Sequence, residues 1–318
     1  MKLLFQHELK DKIIIHFNNP PDKREIIKFT DDFYPSTYPG FGNPYGAFLG
    51  ADFTDGWSAP IKDIYDKLDS VVYDENNYMM KKMLAALNDY RSKSHAQNDH
   101  IVSNPCANGP MDVAETLRGP DIYSDFYDRP SDVVKLLKAC ENFLFRYYQK
   151  CKSIIDHVDG GFFCWQGFWI PDNCYSTSDD VATNYSPDCF KTFTMPVIES
   201  LAKRLGGMFW IHLEGSAAHI VDNLSKIKGL ALVQYTNNPK WPRGSEMIDV
   251  LKTKLGDVPL KILLSKTELL EGMAQRILPG NCIYDVGYDA ECMDCVESPE
   301  EAGEIMKMAN KYRVKNIL

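Results

Sequence analysis

From about residue 100 onward, short apolar runs alternate with segments of helical spacing, which restricts the chain to folds built from parallel strands joined by helices. Strand-like runs stand at 100–104, 160–166, 208–214, 230–235, 260–265 and 282–285, and a further one over residues 11–17. Helical spacing occurs over 78–93, 130–157, 187–205, 245–255, 267–277 and 298–312. Pro130 and Pro187 each sit where a first helical turn tolerates a missing N–H, Ser186 is a capping residue, and Gly206-Gly207 is a stop. No GxGxxG follows any strand-like run, and no repeat of fixed period is present. A closed (β/α)8 TIM barrel is therefore expected in preference to a dinucleotide-binding sheet.

The N-terminal part differs. Residues 33–57 are dense in Pro, Gly, Tyr and Phe, which cannot propagate a helix, and read as ordered loop. Tyr34, Tyr38, Phe41, Tyr45 and Trp57 would either wall a pocket or anchor a cap to the barrel. The expected division is a cap over 1–45 and a barrel over 46–318.

Charge and cysteine usage exclude several classes. With 35 basic residues against 44 acidic ones, a net charge of −9 and no dense basic block, neither nucleic acid nor an anionic membrane is an expected partner. The first twelve residues become charged too early for a secretory signal, and no apolar run reaches the ~20 residues that span a bilayer, so a soluble cytoplasmic protein is expected. Nine scattered cysteines point to reduced thiols.

The run Met208-Phe-Trp-Ile-His-Leu-Glu-Gly215 carries the strongest chemical signal. On an extended backbone residues two apart face the same way, so His212 and Glu214 project together from the strand's carboxyl end, where parallel folds place their chemistry. An imidazole beside a carboxylate binds a divalent metal or passes a proton; a core histidine steadied by an acid has the same pattern. Asn104 and Gln234 stand at strand ends. Trp165 and Trp169 form either a cation-binding wall or core. Ser178-Asp179-Asp180 lines a pocket or caps the following segment. Cys292-Met-Asp-Cys295 is a lone CxxC pair, a weak zinc signal. His219 reads as a surface or helix histidine, and no GxSxG elbow supports a hydrolase.

GPMDVAETLRGPDIYSDFYDRPSDVVKLL at 109–137, SDDVATNYSPDCFKTFTMPVIESLAKRLGG at 178–207, HLEG at 212–215 and ILPGNCIYD with its closing SPEEAGEIM together resemble the uroporphyrinogen decarboxylase superfamily, over roughly residues 45–312. That superfamily also contains zinc-dependent methyltransferases acting with corrinoid proteins, and the resemblance implies a (β/α)8 barrel. Its porphyrinogen decarboxylases carry an arginine-bearing N-terminal segment for a substrate with many carboxylates, whereas the first fifty residues here contain one arginine, Arg24. Porphyrinogen decarboxylation is therefore not expected.

The methyltransferases of the coenzyme M type look similar at His212, their first zinc ligand. Their next ligand is a cysteine two residues on, where this chain has Glu214. Their third is a C-terminal cysteine, for which Cys282, Cys292 and Cys295 are candidates by position. A carboxylate leaves zinc a harder Lewis acid than thiolates do, which suits demethylation of an oxygen or nitrogen compound better than thiol methylation.

The resemblance thus implies a methyltransferase with His212, Glu214 and Cys282 on zinc and Asp179 beside them. Asn104, Trp165, Trp169, Gln234 and Tyr284 would contact the substrate, and a partner protein would carry the corrinoid; a homodimer is allowed. The alternatives are a metal-free decarboxylase or lyase using Glu214 or Asp179 as proton donor on a small carboxylate, and a non-catalytic small-molecule binder that kept the barrel.

Overall fold

The computed structural model describes residues 13–17, 26–27, 53–54, 57–97, 101–104, 108–166, 168–286, 294, 296 and 298–314. Most of the 1–45 extension, including Arg24, Tyr34, Tyr38, Phe41 and Tyr45, and the pair Cys292 and Cys295 lie outside them, and of Trp57 only the backbone is described.

The strands in chain order are β1 (Ile13–Phe17), β2 (Ile26–Ile27), β3 (Phe53–Thr54), β4 (Trp57–Ser58), β5 (Ile101–Val102), β6 (Gly161–Phe163), β7 (Trp169–Pro171), β8 (Cys174–Ser178), β9 (Met208–Glu214), β10 (Leu230–Thr236), β11 (Leu260–Leu264) and β12 (Cys282–Val286). Six of them form one sheet in the order β1-β12-β11-β10-β9-β8, every pair parallel. The molecule is thus an α/β protein on a parallel sheet. β6 and β7 pair antiparallel as a hairpin, and β2 pairs with β5.

The helices are α1 (Tyr78–Gln97), α2 (Pro110–Arg118), α3 (Ile122–Asp128), α4 (Pro130–Ile154), the short α5 (Pro187–Cys189) continued by a π-turn (Phe190–Thr194) into α6 (Met195–Arg204), α7 (Val221–Leu224), α8 (Gly244–Leu255), α9 (Lys266–Gln275) and α10 (Pro299–Lys311). In α4 the buried side chains Val133, Leu136, Leu137, Cys140, Phe143, Leu144, Tyr147, Tyr148, Cys151 and Ile154 recur every three or four residues, giving the helix one continuous apolar stripe to lay on the core.

Three elements differ from the sequence reading. β8, CYSTS, has no apolar run, yet all five residues are buried; Ser176 and Ser178 spend their hydroxyls on Trp210 and Asp112, so burial costs them no unsatisfied polar atom. Trp169–Pro171, for which the apolar pattern predicts no strand, is half of a hairpin. Helices α2 and α3 occupy a segment where the spacing predicts no helix; α2 starts with Pro110 in the first turn and Asp112 accepting from Gly109 N at 2.9 Å.

Pairing register sorts the sheet's side chains into two faces. Ser178, His212, Gln234, Lys261 and Ile283 stand in one row across β8 to β12 and share a face. Residues of the opposite parity meet helices or the loops before them. The Tyr175 ring lies 5.8 Å from Tyr148 of α4, and Ile262 packs on Gly244, where an added Cβ would lie 2.6 Å from it. Among the described residues no helix is long and apolar enough to cross a membrane.

One electrostatic strap ties the loop before α8 to the start of α9. Arg243 donates to both oxygens of Glu268 at 3.0 and 3.1 Å, and Ser245 and the Ser265 N–H also donate to it. Burial works against this carboxylate, but those four donors outweigh it and hold Glu268 down at about 2. A depressed carboxyl contributes stability above its unfolded value of 4.5 that is lost as pH falls towards 2. Glu268→Gln is therefore expected to cost about 1–2 kcal/mol near neutral pH, with wild type and variant converging in urea midpoint as pH drops below ~4; a pH-independent gap would refute the strap.

Candidate metal centre

β8 and β9 are adjacent and parallel, so their carboxyl ends lie side by side. β9 brings His212 and Glu214 to that edge, and Asp180 is the second residue after β8. His212 Nε2 stands 3.1 Å from Glu214 Oε1 and 3.9 Å from Asp180 Oδ1, and one ligand atom from each of the three lies within 4.8 Å of the others. The imidazole is 6% exposed. Its floor is Trp210, two residues back on the same face, whose Nε1 donates to Ser176 Oγ at 2.8 Å.

The imidazole's orientation is set from behind. Gln234 Nε2 donates to Thr236 Oγ1 at 2.6 Å, which leaves Gln234 Oε1 as the acceptor for His212 Nδ1. Nδ1 therefore carries the proton, and Nε2 faces the two carboxylates. Trp165 presses edge-on against the ring, centroids 5.4 Å apart.

Charge coupling is strong. Burial disfavours the imidazolium, but the hydrogen bond it donates to Glu214 and the charges of Asp180 and Glu214 overcome it and push His212 up to about 9. Burial likewise opposes the Glu214 carboxylate, yet His212 holds it below the usual range. Burial and the charge of Asp112 raise Asp180 to about 7, against the pull of His212.

A second group of acids stands behind the first. Asp112 accepts from Ser178 Oγ, Gly109 N and Val181 N at 2.7, 2.9 and 3.2 Å. Gly109 is required there, because a Cβ would lie 1.9 Å from Ser178 O. Asp179, 1% exposed, accepts from Tyr185 OH at 2.5 Å, and Tyr185 OH is also 3.0 Å from Thr194 Oγ1 at the end of the π-turn. Burial, then the neighbouring Asp112 charge, lift Asp179 well above the carboxylate range.

The remaining sequence candidates divide. Asn104, 1% exposed, follows β5; its N–H donates to Phe163 O at 2.8 Å and both side-chain polar atoms lack hydrogen-bond partners. Three others do not join the centre. Cys282 stands on the face of β12 opposite the His212 row; Asp180, not Cys282, completes the ligand group among the described residues. The thiol is buried, which pushes it up to about 11 and suits a core side chain rather than a ligand thiolate. Tyr284 shares that face and donates to Pro279 O at 2.8 Å. Trp169 donates to Val158 O and packs over Gly161, so it anchors the hairpin.

His219 lies in a short 3-10 helix (Gly215–Ile220) and bonds Tyr185 O through Nε2 at 3.0 Å. Lys261, on the row of His212, was not anticipated: its side chain is fully buried and paired with Asp285. A lysine inside the apolar run LKILL was the sequence signal for it.

A solved structure of a methyltransferase from Methanosarcina mazei resembles this one, with a TM-score of 0.55 and 14% sequence identity over 89% of this chain and 82% of that one. No protein-family model matches the chain, and no curated protein sequence is similar to it. At that identity the likeness is one of fold: this chain shares the α/β architecture of the archaeal protein over most of both lengths.

Proposed function

We propose that the chain is a methyltransferase on a closed (β/α)8 barrel, in which Asp180, His212 and Glu214 hold zinc and a small methylated substrate gives its methyl group to a corrinoid presented by a partner protein. The observation that carries the reading is the convergence of three ligand atoms within 4.8 Å at the carboxyl ends of two neighbouring parallel strands. The donor set fits a divalent ion: Glu214 Oε2 and Asp180 Oδ1 are buried without hydrogen-bond partners, and nitrogen with two carboxylate oxygens is a normal first-row set. Barrel closure is supported by the link from Asn104 N to Phe163 O, which brings β5 and β6 together beside the six-stranded sheet. The fold likeness to a methyltransferase adds to the reading.

Bound there, zinc would supply Lewis acidity towards the heteroatom that leaves the methyl group. The chain's own part is orientation and shielding. Gln234 holds the His212 tautomer, Glu214 holds the Nε2 side, and Trp165 covers the imidazole flank. Gln234→Leu removes the acceptor behind His212 and is expected to weaken zinc affinity about 10–100-fold with little loss of fold, read by competitive chelator titration.

A second reading, an ion-free lyase, draws on the raised His212, whose imidazolium would donate a proton at neutral pH. Metal analysis of the purified chain separates the two. About one zinc per chain at micromolar zinc supports the first, and no uptake of any first-row divalent ion ends it.

A further inference from the structure

We infer that Asp112 is a positioning residue for the metal centre: its carboxyl group holds the backbone of residues 178–181 so that the Asp180 side chain stands with His212 and Glu214. The inference rests on the metal reading and concerns how that site is assembled.

Asp180 Oδ1, the oxygen that faces His212, has no hydrogen bond to fix it. It is buried without a partner and stops 3.9 Å from His212 Nε2, beyond hydrogen-bond reach. An oxygen so placed stays in the ligand group only if the backbone that carries it is held. Residues 178–181 are held from two sides. Ser178 Oγ and the Val181 N–H donate to Asp112 at 2.7 and 3.2 Å, and the Asp180 N–H stabilises the same carboxyl group. Between them Asp179 turns the other way and accepts from the Tyr185 hydroxyl at 2.5 Å. Each residue of the turn thus has one fixed engagement, and the side chain of Asp180 is the one left for the site.

Asp112 is a rigid place from which to hold that turn. It is 1% exposed, in the first turn of α2, between Met111 and Val113, which have no exposed surface. Its Oδ2 also accepts from Gly109 N at 2.9 Å, so the helix start and the strand exit share one carboxyl group. A residue that only capped its own helix would need the Gly109 N–H alone; here two further donors lie 66 and 69 residues along the chain. Asparagine cannot take its place. Both Asp112 oxygens accept from backbone N–H groups, and an amide has one oxygen, so either orientation turns its NH2 towards the N–H of Gly109 or that of Val181.

The test is zinc binding to the full chain by competitive chelator titration, with cobalt(II) as a second probe whose visible absorption reports the ligand set. Asp112→Asn is expected to weaken zinc about 10–100-fold and to change the cobalt(II) absorption as Asp180→Ala does. The double variant should bind zinc no more weakly than Asp180→Ala, because that ligand has already left the group. An Asp112 that only braced the fold would lower the urea midpoint and leave both metal readouts where they were. Wild-type zinc affinity in a folded Asp112→Asn, or losses that add in the double variant, overturns the role. If Asp112→Asn does not fold by circular dichroism, Ser178→Ala, which removes one donor, decides. Several-fold weaker zinc binding that disappears in the Asp180→Ala background supports the role, and unchanged binding overturns it. No zinc uptake by the wild-type chain overturns the metal reading and the role with it, whereas equal uptake by wild type and Asp112→Asn overturns the role alone.

Discussion

His212→Ala is expected to abolish zinc binding, lowering affinity by more than the ~100-fold that loss of a residue hydrogen-bonded behind a ligand costs. The imidazole is the sole nitrogen in the ligand group, and its Nε2 is the atom nearest both carboxylates. Without it, Glu214 and Asp180 are two like-charged acids with no fixed partner between them. The wild-type chain should gain thermal stability with added zinc, approaching ~2.7 kcal/mol when free zinc is about a hundred times its dissociation constant, while the variant should gain nothing. Equal thermal shifts in both would show that zinc stabilises the chain from somewhere else. Cys282→Ser, by contrast, should bind zinc like wild type, since that thiol lies on the other face of β12.

Lys261→Met is expected to destabilise the chain by about 3–5 kcal/mol, the largest stability loss of any substitution considered. The ammonium has no exposed surface, meets Asp285 at 6% side-chain exposure, and lies 5.6 Å from the Phe168 ring. Removing it takes the paired cation from a buried carboxylate, whose desolvation the remaining contacts then offset less. The double replacement Lys261→Met with Asp285→Leu should recover much of the loss, because two apolar side chains need no pairing. Urea midpoints of the two single variants and the double one give the coupling directly. Single losses below ~1 kcal/mol would mean that the pair is solvated and not the internal brace its burial indicates.

Much of the scaffold was legible because hydrophobic periodicity is local. The strand of His212 shows four apolar residues followed by a polarity change, and α4 shows its stripe through 25 residues, so both elements were expected near where they occur. β8 was not, because its cue is absent: CYSTS is buried through hydrogen bonds to Trp210 and Asp112, partners 34 and 66 residues away in the chain. The pairing of His212 with Glu214 was legible from the two-residue period of a strand. The third member of the candidate group was not. Cys282, Cys292 and Cys295 were candidates by position, and strand parity turns the Cys282 thiol to the opposite face.

What the amino-acid order by itself determined is therefore the parallel α/β class, the ends of most helices, and the projection of His212 and Glu214 from one side of one strand. Only the tertiary structure decided that Asp180 stands with them, that Gln234 orients the imidazole, and that Lys261 and Asp285 meet in the interior. The reason is physical: periods of two and of 3.6 residues express the backbone's own geometry, whereas which carboxylate faces which imidazole depends on the pairing register between strands far apart in the chain.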